Sequence, residues 1–452
     1  MRKKSLFIIF IAMAFSTMAQ NALYWVPKIT TSNSLIREYE PGIDVAYNDN
    51  GSRQSFIFID RPSGQVWEAQ SPYGIEVTDM EIYDECLYFC GHLTSMTNMN
   101  IVGFFKINDL FFGSQQVTIL PIPYSPVDTV DGVLIPGEMV LSKLEVYKVP
   151  GSSIGETHIY MIGDVAFNST ETTDYSCLFD MMYLGGWSYD MAIEPDRVYY
   201  FNDLTVTDNF LLVVGNKHGG TGEYLHGYYL PPTPSQHTFY NTLYVGGGSY
   251  IQYWYTNAWE YHPKSKPIIE TLTGDAFATA CYGKWQDNPG VIVSWYSTYG
   301  TIVKRYFVPN VTGTSEFKDL KYNYLTDNLY LMPDHLNSVA IDEFYGFNLG
   351  GAICNVYQST LREQHSLDRI AGGVDVASSG KYNGKLAIMK YESKEFDCVT
   401  GGEIPVTESK EPPNCSIFVH NVTSSIVNPT TVFPIIKEFP LEMFCGEESL
   451  KN

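Results

Sequence analysis

Apolar residues in this chain come in short runs rather than at helical intervals. Examples are Ser55-Phe-Ile-Phe-Ile59, Leu87-Tyr-Phe-Cys90, Ile101-Val-Gly-Phe-Phe105, His158-Ile-Tyr-Met-Ile162, Phe210-Leu-Leu-Val-Val214, Val291-Ile-Val-Ser-Trp295 and Leu386-Ala-Ile-Met389. Runs this short, rich in β-branched and aromatic side chains, predict strands, several of them buried on both faces. Turn residues punctuate them at Asn50-Gly51, Pro62-Ser-Gly64, Asn288-Pro-Gly290 and Asn383-Gly384. Asn-Gly accepts positive φ at both central positions of a tight hairpin, so these pairs predict antiparallel neighbours. Helical periodicity is confined to Leu361–Ile370, which predicts one short helix. The pattern is all-β.

Two internal repeats organise the strands. The first is an Asp-led strand: Asp84-Glu-Cys-Leu-Tyr-Phe-Cys-Gly91, Asp208-Asn-Phe-Leu-Leu-Val-Val-Gly215 and Asp327-Asn-Leu-Tyr-Leu-Met-Pro333. Their Asp residues are 208 − 84 = 124 and 327 − 208 = 119 positions apart, which implies a whole number of similar units between them. The second pairs a strand carrying a small residue with an apolar strand soon after it. Val45-Ala46 precedes Phe56-Ile-Phe58, Thr279-Ala280 precedes Val291-Ile-Val293, Val339-Ala340 precedes Ala352-Ile-Cys354, and Val376-Ala377 precedes Leu386-Ala-Ile388. Units of about 45–60 residues with two to four strands each predict about six to eight units, with seven the central expectation. A closed ring of small sheets, a β-propeller, hides most strand edges; tandem β-sandwiches are the alternative. No linker is evident, so residues 20–452 read as one domain whose C-terminal segment, about 398–452, closes the ring or hangs from it. Cys415–Ile436 is expected to complete the sheet containing Val45 and Phe56.

On these strands and repeats, residues about 40–440 resemble secreted bacterial β-propeller proteins of Bacteroides type. The Trp-Asp strand ends of the WD40 type are absent, and the double glycine of kelch repeats does not recur. Asp60-Arg-Pro-Ser-Gly64-Gln-Val-Trp67 approaches a sialidase-type Asp box once, with its Asp misplaced, and reads as a hairpin ending in a core Trp.

Composition adds the compartment and excludes some partners. The 452 residues hold 28 basic and 50 acidic side chains, for a net charge of −22. A field of that sign repels nucleic acid and acidic membranes. Arg2, Lys3 and Lys4 precede the apolar run Leu6–Phe15, and Thr17 and Ala19 supply the small residues that a signal peptidase reads. Residues 1–19 are therefore expected to be a signal peptide, and the product to be exported to the periplasm or beyond. No other run is long enough for a membrane-spanning helix. Export permits disulfides among Cys86, Cys90, Cys177, Cys281, Cys354, Cys398, Cys415 and Cys445. Cys86 and Cys90 lie on one strand, roughly 13 Å apart, too far to bond. Cys398 with Cys415 is the best local pair, and buried unpaired thiols are the alternative.

Candidate chemistry is sparse. There is no His-Glu-x-x-His, Cys-x-x-Cys, Gly-x-Ser-x-Gly, P-loop or dinucleotide fingerprint, so no metal, cofactor or catalytic nucleophile is assigned. His218 and His226 flank a Gly-rich turn and read as solvated hairpin residues. Ala46-Tyr-Asn-Asp-Asn-Gly51 lacks the ligands of a calcium loop and reads as a hairpin. Asp342-Glu343 and Asp334-His335 are the acids best placed to face a channel, where a polysaccharide hydrolase or lyase would need a pair. Four Asn-x-Ser/Thr sequons, at Asn168, Asn310, Asn414 and Asn421, matter only in a glycosylating host. Residues 239–261 are too aromatic to be wholly core. Tyr253, Trp254, Tyr255 and Trp259, following a triple glycine, are the candidate ligand-binding residues. The expected function is a binding or scaffold module for a glycan or a protein, with a carbohydrate-active enzyme as the alternative.

Overall fold

A computed structural model describes the strands and shorter connections between Ala22 and Cys445. Residues 1–21, 231–265, 392–401, 404–428 and 446–452 and a number of shorter loop stretches lie outside the described residues. The chain opens with β1 (Ala22–Thr30). A first sheet follows from β2 (Asn33–Glu40), β3 (Ile43–Asp49), β4 (Gln54–Asp60) and β5 (Gln65–Gln70). The second holds β6 (Ile75–Tyr83), β7 (Cys86–Leu93), β8 (Asn100–Lys106) and β9 (Val117–Ile122). The third holds β10 (Val127–Val130), β11 (Val133–Lys148), β12 (Thr157–Phe167), β13 (Tyr175–Tyr183) and β14 (Trp187–Ile193). The fourth is β15 (Tyr199–Val206), β16 (Phe210–Lys217) and β17 (Glu223–Tyr229). The fifth contains β18 (Ile268–Thr271), β19 (Phe277–Trp285), β20 (Asn288–Tyr296) and β21 (Ile302–Pro309). The sixth is β22 (Phe317–Asn323), β23 (Asn328–Pro333), β24 (Glu343–Asn348) and β25 (Cys354–Gln358). The seventh begins with β26 (Glu363–Arg369), β27 (Val376–Tyr382) and β28 (Lys385–Tyr391).

The sheets close a ring. β2, β6, β11, β15, β18, β22 and β26 each pack against the next in that order, and β26 packs against β2. Each of these is the strand nearest the axis. Seven hydrophobic clusters fill the seams, each drawn from two neighbouring sheets. Phe56 and Phe58 of the first sheet meet Phe89 and Phe105 of the second, and Leu212 and Val214 of the fourth meet Ile269, Phe277 and Tyr296 of the fifth. This is a β-propeller. The core is divided among seams, so middle strands such as β3 and β4 are buried on both faces.

Both termini lock the ring, though not where the sequence placed the closure. β1 pairs with β28, so the N-terminal strand completes the seventh sheet. Three short C-terminal strands then become the outermost strands of adjacent sheets: β30 (Thr430–Val432) on β9, β31 (Ile435–Pro440) on β5, and β32 (Glu442–Cys445) on β1. β29 (Gly402–Glu403) caps β21 in the same way. The sheet of Val45 and Phe56 does gain a C-terminal strand, but β31 shares only Ile435 and Ile436 with the expected Cys415–Ile436; Thr430–Val432 joins the second sheet, and residues 415–428 lie outside the described residues. The tail is a belt that covers free backbone edges.

Two local expectations fail for physical reasons. Leu361–Ile370 carries a helical spacing, but Glu363–Arg369 is the strand β26; its Asp368 lines the axial channel and its Leu367 enters the core rather than forming the two faces of a helix. Asn288-Pro-Gly290 lies within β20 rather than in a turn. Asn383-Gly384 does form the two-residue hairpin between β27 and β28, with φ of 50° and 75°.

The Gly or Pro that ends each Asp-led repeat has a structural cause. The inner strands bulge between Val77 and Asp79, Leu141 and Lys143, Phe201 and Asp203, Phe317 and Asp319, and Gln364 and Ser366. Opposite the bulge, the second strand presents Gly91, Gly163, Gly215, Pro333 and Gly380. A Cβ on Gly91, Gly163 or Gly215 would stand inside contact distance of the carbonyl oxygen of Glu76, Val140 or Tyr200. The two long intervals in the repeat are alike because each crosses two sheets.

Gly215→Ala is therefore expected to destabilise by about 2 kcal/mol or more, as a backbone clash in a core that cannot relax. Gly186→Ala, where a Cβ meets nothing within 4 Å, is expected to be neutral. Denaturant unfolding of both variants checks the contrast.

Candidate functional site

The innermost strands combine an apolar seam face with a charged axial face. Asp79-Met-Glu-Ile82, Lys143-Leu-Glu-Val146 and Asp319-Leu-Lys-Tyr322 alternate charged and apolar residues. With period two, the apolar members enter the seams and the charged members point to the axis. The channel they surround encloses a cavity of about 590 Å³. Every inner strand contributes to its lining, among them Arg37, Glu81, Glu145, Thr205, Glu270, Lys321 and Asp368. The exposed Glu40, Asp84 and Glu85 also line it, so it opens on the face carrying the β6–β7 hairpin.

The charge around this ring is uneven. Arg37 and Lys321 flank Asp368 on one arc, and Glu81 and Glu145 are neighbours on another. Arg37 Nη2 lies 3.2 Å from Asp79 Oδ1 and its Nε 3.4 Å from Glu81 Oε2. Burial alone would lower the Arg37 guanidinium; Asp79 and Glu81 overcome it and hold the group above its ordinary range. Lys143 behaves likewise, with burial opposed by Asp79, Asp203 and Asp319. Glu145 is pushed well above the usual carboxylate range by burial, and by Glu81 and Glu270, against the pull of Lys321. The channel thus sets one carboxyl whose proton is held more tightly than usual beside other acids, the kind of difference that divides acid from base.

Deeper carboxylates hold the ring together. Asp79 Oδ2 accepts the Leu144 backbone N–H at 3.1 Å, Asp203 Oδ2 that of Ile269 at 3.0 Å, and Asp319 Oδ2 that of Leu367 at 2.7 Å. Asp368 Oδ2 accepts the Glu38 N–H at 2.6 Å and Glu270 Oε1 that of Tyr322 at 3.2 Å. Each bond runs from one inner strand to the next.

Behind the channel, Arg61 sits between Glu38 and Asp44, with its Nε 2.9 Å from Asp44 Oδ2. Burial, with Asp44 adding repulsion, raises Glu38 to about 8; burial raises Asp44 to about 6 despite Arg61. In the third sheet, His158 is enclosed between two carboxylates, Nδ1 2.9 Å from Asp180 Oδ1 and Nε2 3.2 Å from Glu156 Oε1. All three side chains are buried, which makes this a structural cluster rather than a site.

The sequence-derived candidates fall largely elsewhere. Tyr253, Trp254, Tyr255 and Trp259 lie outside the described residues, as do His218, Asp334, His335, Asp342, Cys398, Cys415 and all four sequons. Glu343 opens β24 and His226 lies in β17, with their side chains outside the description. Cys86, Cys90 and Cys177 are free thiols, and Cys86 and Cys90 are unbonded to each other as expected. Among the described residues no cluster of His, Cys, Asp and Glu could hold a metal ion, and no helix is long and apolar enough to cross a membrane.

No family model matches the chain, and no curated protein matches it. Among solved structures, the chain is similar to the β-propeller domain of Cps50 (Swd1) from Myceliophteria thermophila. The identity is 10% and the TM-score 0.37, over 81% of this chain and 99% of that one.

Removing Arg37 leaves Asp79 and Glu81 uncompensated, so Arg37→Ala is expected to cost about 3–5 kcal/mol in denaturant unfolding. Glu38 and Asp44 bind protons more tightly folded than unfolded. Their contribution is therefore greatest at acid pH and is lost as pH rises from about 4 through 6 for Asp44 and 8 for Glu38. Glu38→Gln should gain stability over the parent chain between pH 6 and 8.5, by at most about 1.4 kcal/mol per pH unit. Melting temperatures of the two proteins across that window test the sign.

Proposed function

We propose that the chain is an exported bacterial binding or scaffold propeller, with each of its seven sheets serving as one blade. Its ligand, a glycan or a protein, is taken on the face where the channel opens. The observation that carries this reading is the channel itself: a cavity of about 590 Å³ to which all seven inner strands contribute side chains, with an acidic mouth at Glu40, Asp84 and Glu85. A mouth of that charge favours neutral or cationic ligands over phosphate or sulfate polymers. Tyr253, Trp254, Tyr255 and Trp259 remain proposed ligand contacts.

A carbohydrate-active enzyme is the second reading. It is favoured by Glu145, whose carboxyl burial and the neighbouring Glu81 push well above the usual carboxylate range, the direction a general acid requires.

One screen separates the two. The full chain is presented to a glycan array and to a displayed peptide library, and polysaccharide breakdown is assayed in parallel. The binding reading expects a retained ligand and no turnover, and a cationic peptide should bind at least about tenfold more weakly to Glu40→Lys plus Glu85→Lys. Turnover abolished by Glu145→Gln would establish the enzyme instead. A cationic ligand indifferent to the mouth charges would remove the channel face from the account.

A further inference from the structure

On the channel-mouth face, a row of aromatic rings crosses the seam between the second and third sheets. Tyr88 of β7 stacks on Phe104 of β8 with ring centroids 5.7 Å apart and planes at 28°. Phe104 lies 5.3 Å from Trp187 of β14, and Trp187 lies 5.2 Å from Tyr183 of β13. All four rings are half-buried; Tyr88, Phe104 and Trp187 pack against the hydrophobic cluster in this seam, and Tyr183 joins the row through Trp187. The turn between β13 and β14 leaves them uncovered. Gly185 and Gly186 are exposed, and a Cβ at either would meet nothing within 4 Å.

We infer that this row is a binding platform for a neutral oligosaccharide, whose pyranose faces stack along Tyr88, Phe104, Trp187 and Tyr183. A pyranose offers what half-open rings require: a flat C–H face for the π surface and hydroxyls at the edges for water and polar neighbours. The surroundings decide against other occupants. A protein interface needs a contiguous apolar core with a polar rim. Among the described residues the exposed large apolar side chains, Tyr83, Val140, Tyr324 and Ile435, come from separate elements and form no such patch. The net charge of −22, with Asp84 and Glu85 at the channel mouth on the same face, disfavours uronate or sulfated chains. The inference rests on the binding reading above and gives that face a ligand class.

The test is isothermal titration of the full chain with the gluco-, malto-, xylo- and manno-hexasaccharides, and with oligogalacturonate as the anionic counterpart. At least one neutral hexasaccharide is expected to bind, with oligogalacturonate at least about tenfold weaker. Trp187→Ala should weaken that binding about tenfold or more. Because Trp187 also packs on the seam, Gly186→Trp provides a second variant that fills the open space without touching the core. It should block binding while shifting the melting temperature by less than about 2 °C. Absence of binding by all neutral hexasaccharides up to about 10 mM would overturn the inference. So would binding that survives both variants, or a preference for oligogalacturonate. Peptide capture that depends on Glu40 and Glu85 in the preceding screen, with no hexasaccharide binding here, would sink the platform and leave the binding propeller standing.

Discussion

A carboxylate oxygen that accepts a backbone N–H from the neighbouring inner strand is the contact on which the ring depends. Greasy seams alone tolerate sliding, because apolar contact is non-directional. The bonds from Asp79, Asp203, Asp319 and Asp368 fix how far each sheet is advanced along the axis relative to the next. Those of Asp79, Asp203 and Asp319 are formed where the inner strand bulges, so an extra residue turns the Asp side chain toward the following sheet. The glycine on the second strand exists to let that bulge press close.

That requirement makes the axis electrostatically expensive. Buried carboxylates need cations or donors nearby, and Arg37, Lys143 and Lys321 supply the cations. The third sheet places Lys143 where its neighbours place Asp, so one substitution of charge type offsets several acids at once. What remains is a polarised channel, with cations on one arc and the Glu81–Glu145 pair on another. The same charges that register the sheets therefore shape the cavity available to a ligand. Ring closure follows a different logic: β1 supplies hydrogen bonds to β28, and the C-terminal belt then shields the edges of three adjacent sheets.

Much of the fold was legible. Short apolar runs located the middle strands, Asn383-Gly384 marked its hairpin, and the spacing of Asp84, Asp208 and Asp327 reported the repeat. The innermost strands were the hard part. β26 reads Glu-Gln-His-Ser-Leu-Asp-Arg, which looks like a solvated helix because its Asp368 lines a channel rather than meeting bulk water. The channel residues were missed for the same reason. The usable signal, charged-apolar-charged at Asp79–Glu81, Lys143–Glu145 and Asp319–Lys321, appears only when those stretches are laid over one another. The aromatic row was invisible, since Tyr88, Phe104, Tyr183 and Trp187 come together only across a seam.

The central claim is that carboxylate-to-backbone bonds hold neighbouring sheets in register. Unfolding free energies of Asp319→Ala and Asp319→Asn test it most directly, because Asn keeps an acceptor oxygen at the same place and Ala does not. The account predicts a loss of about 2–3 kcal/mol in the alanine variant and recovery of more than half of it in the asparagine variant. Equal stability of both variants with the parent chain, within about 0.5 kcal/mol, would contradict it.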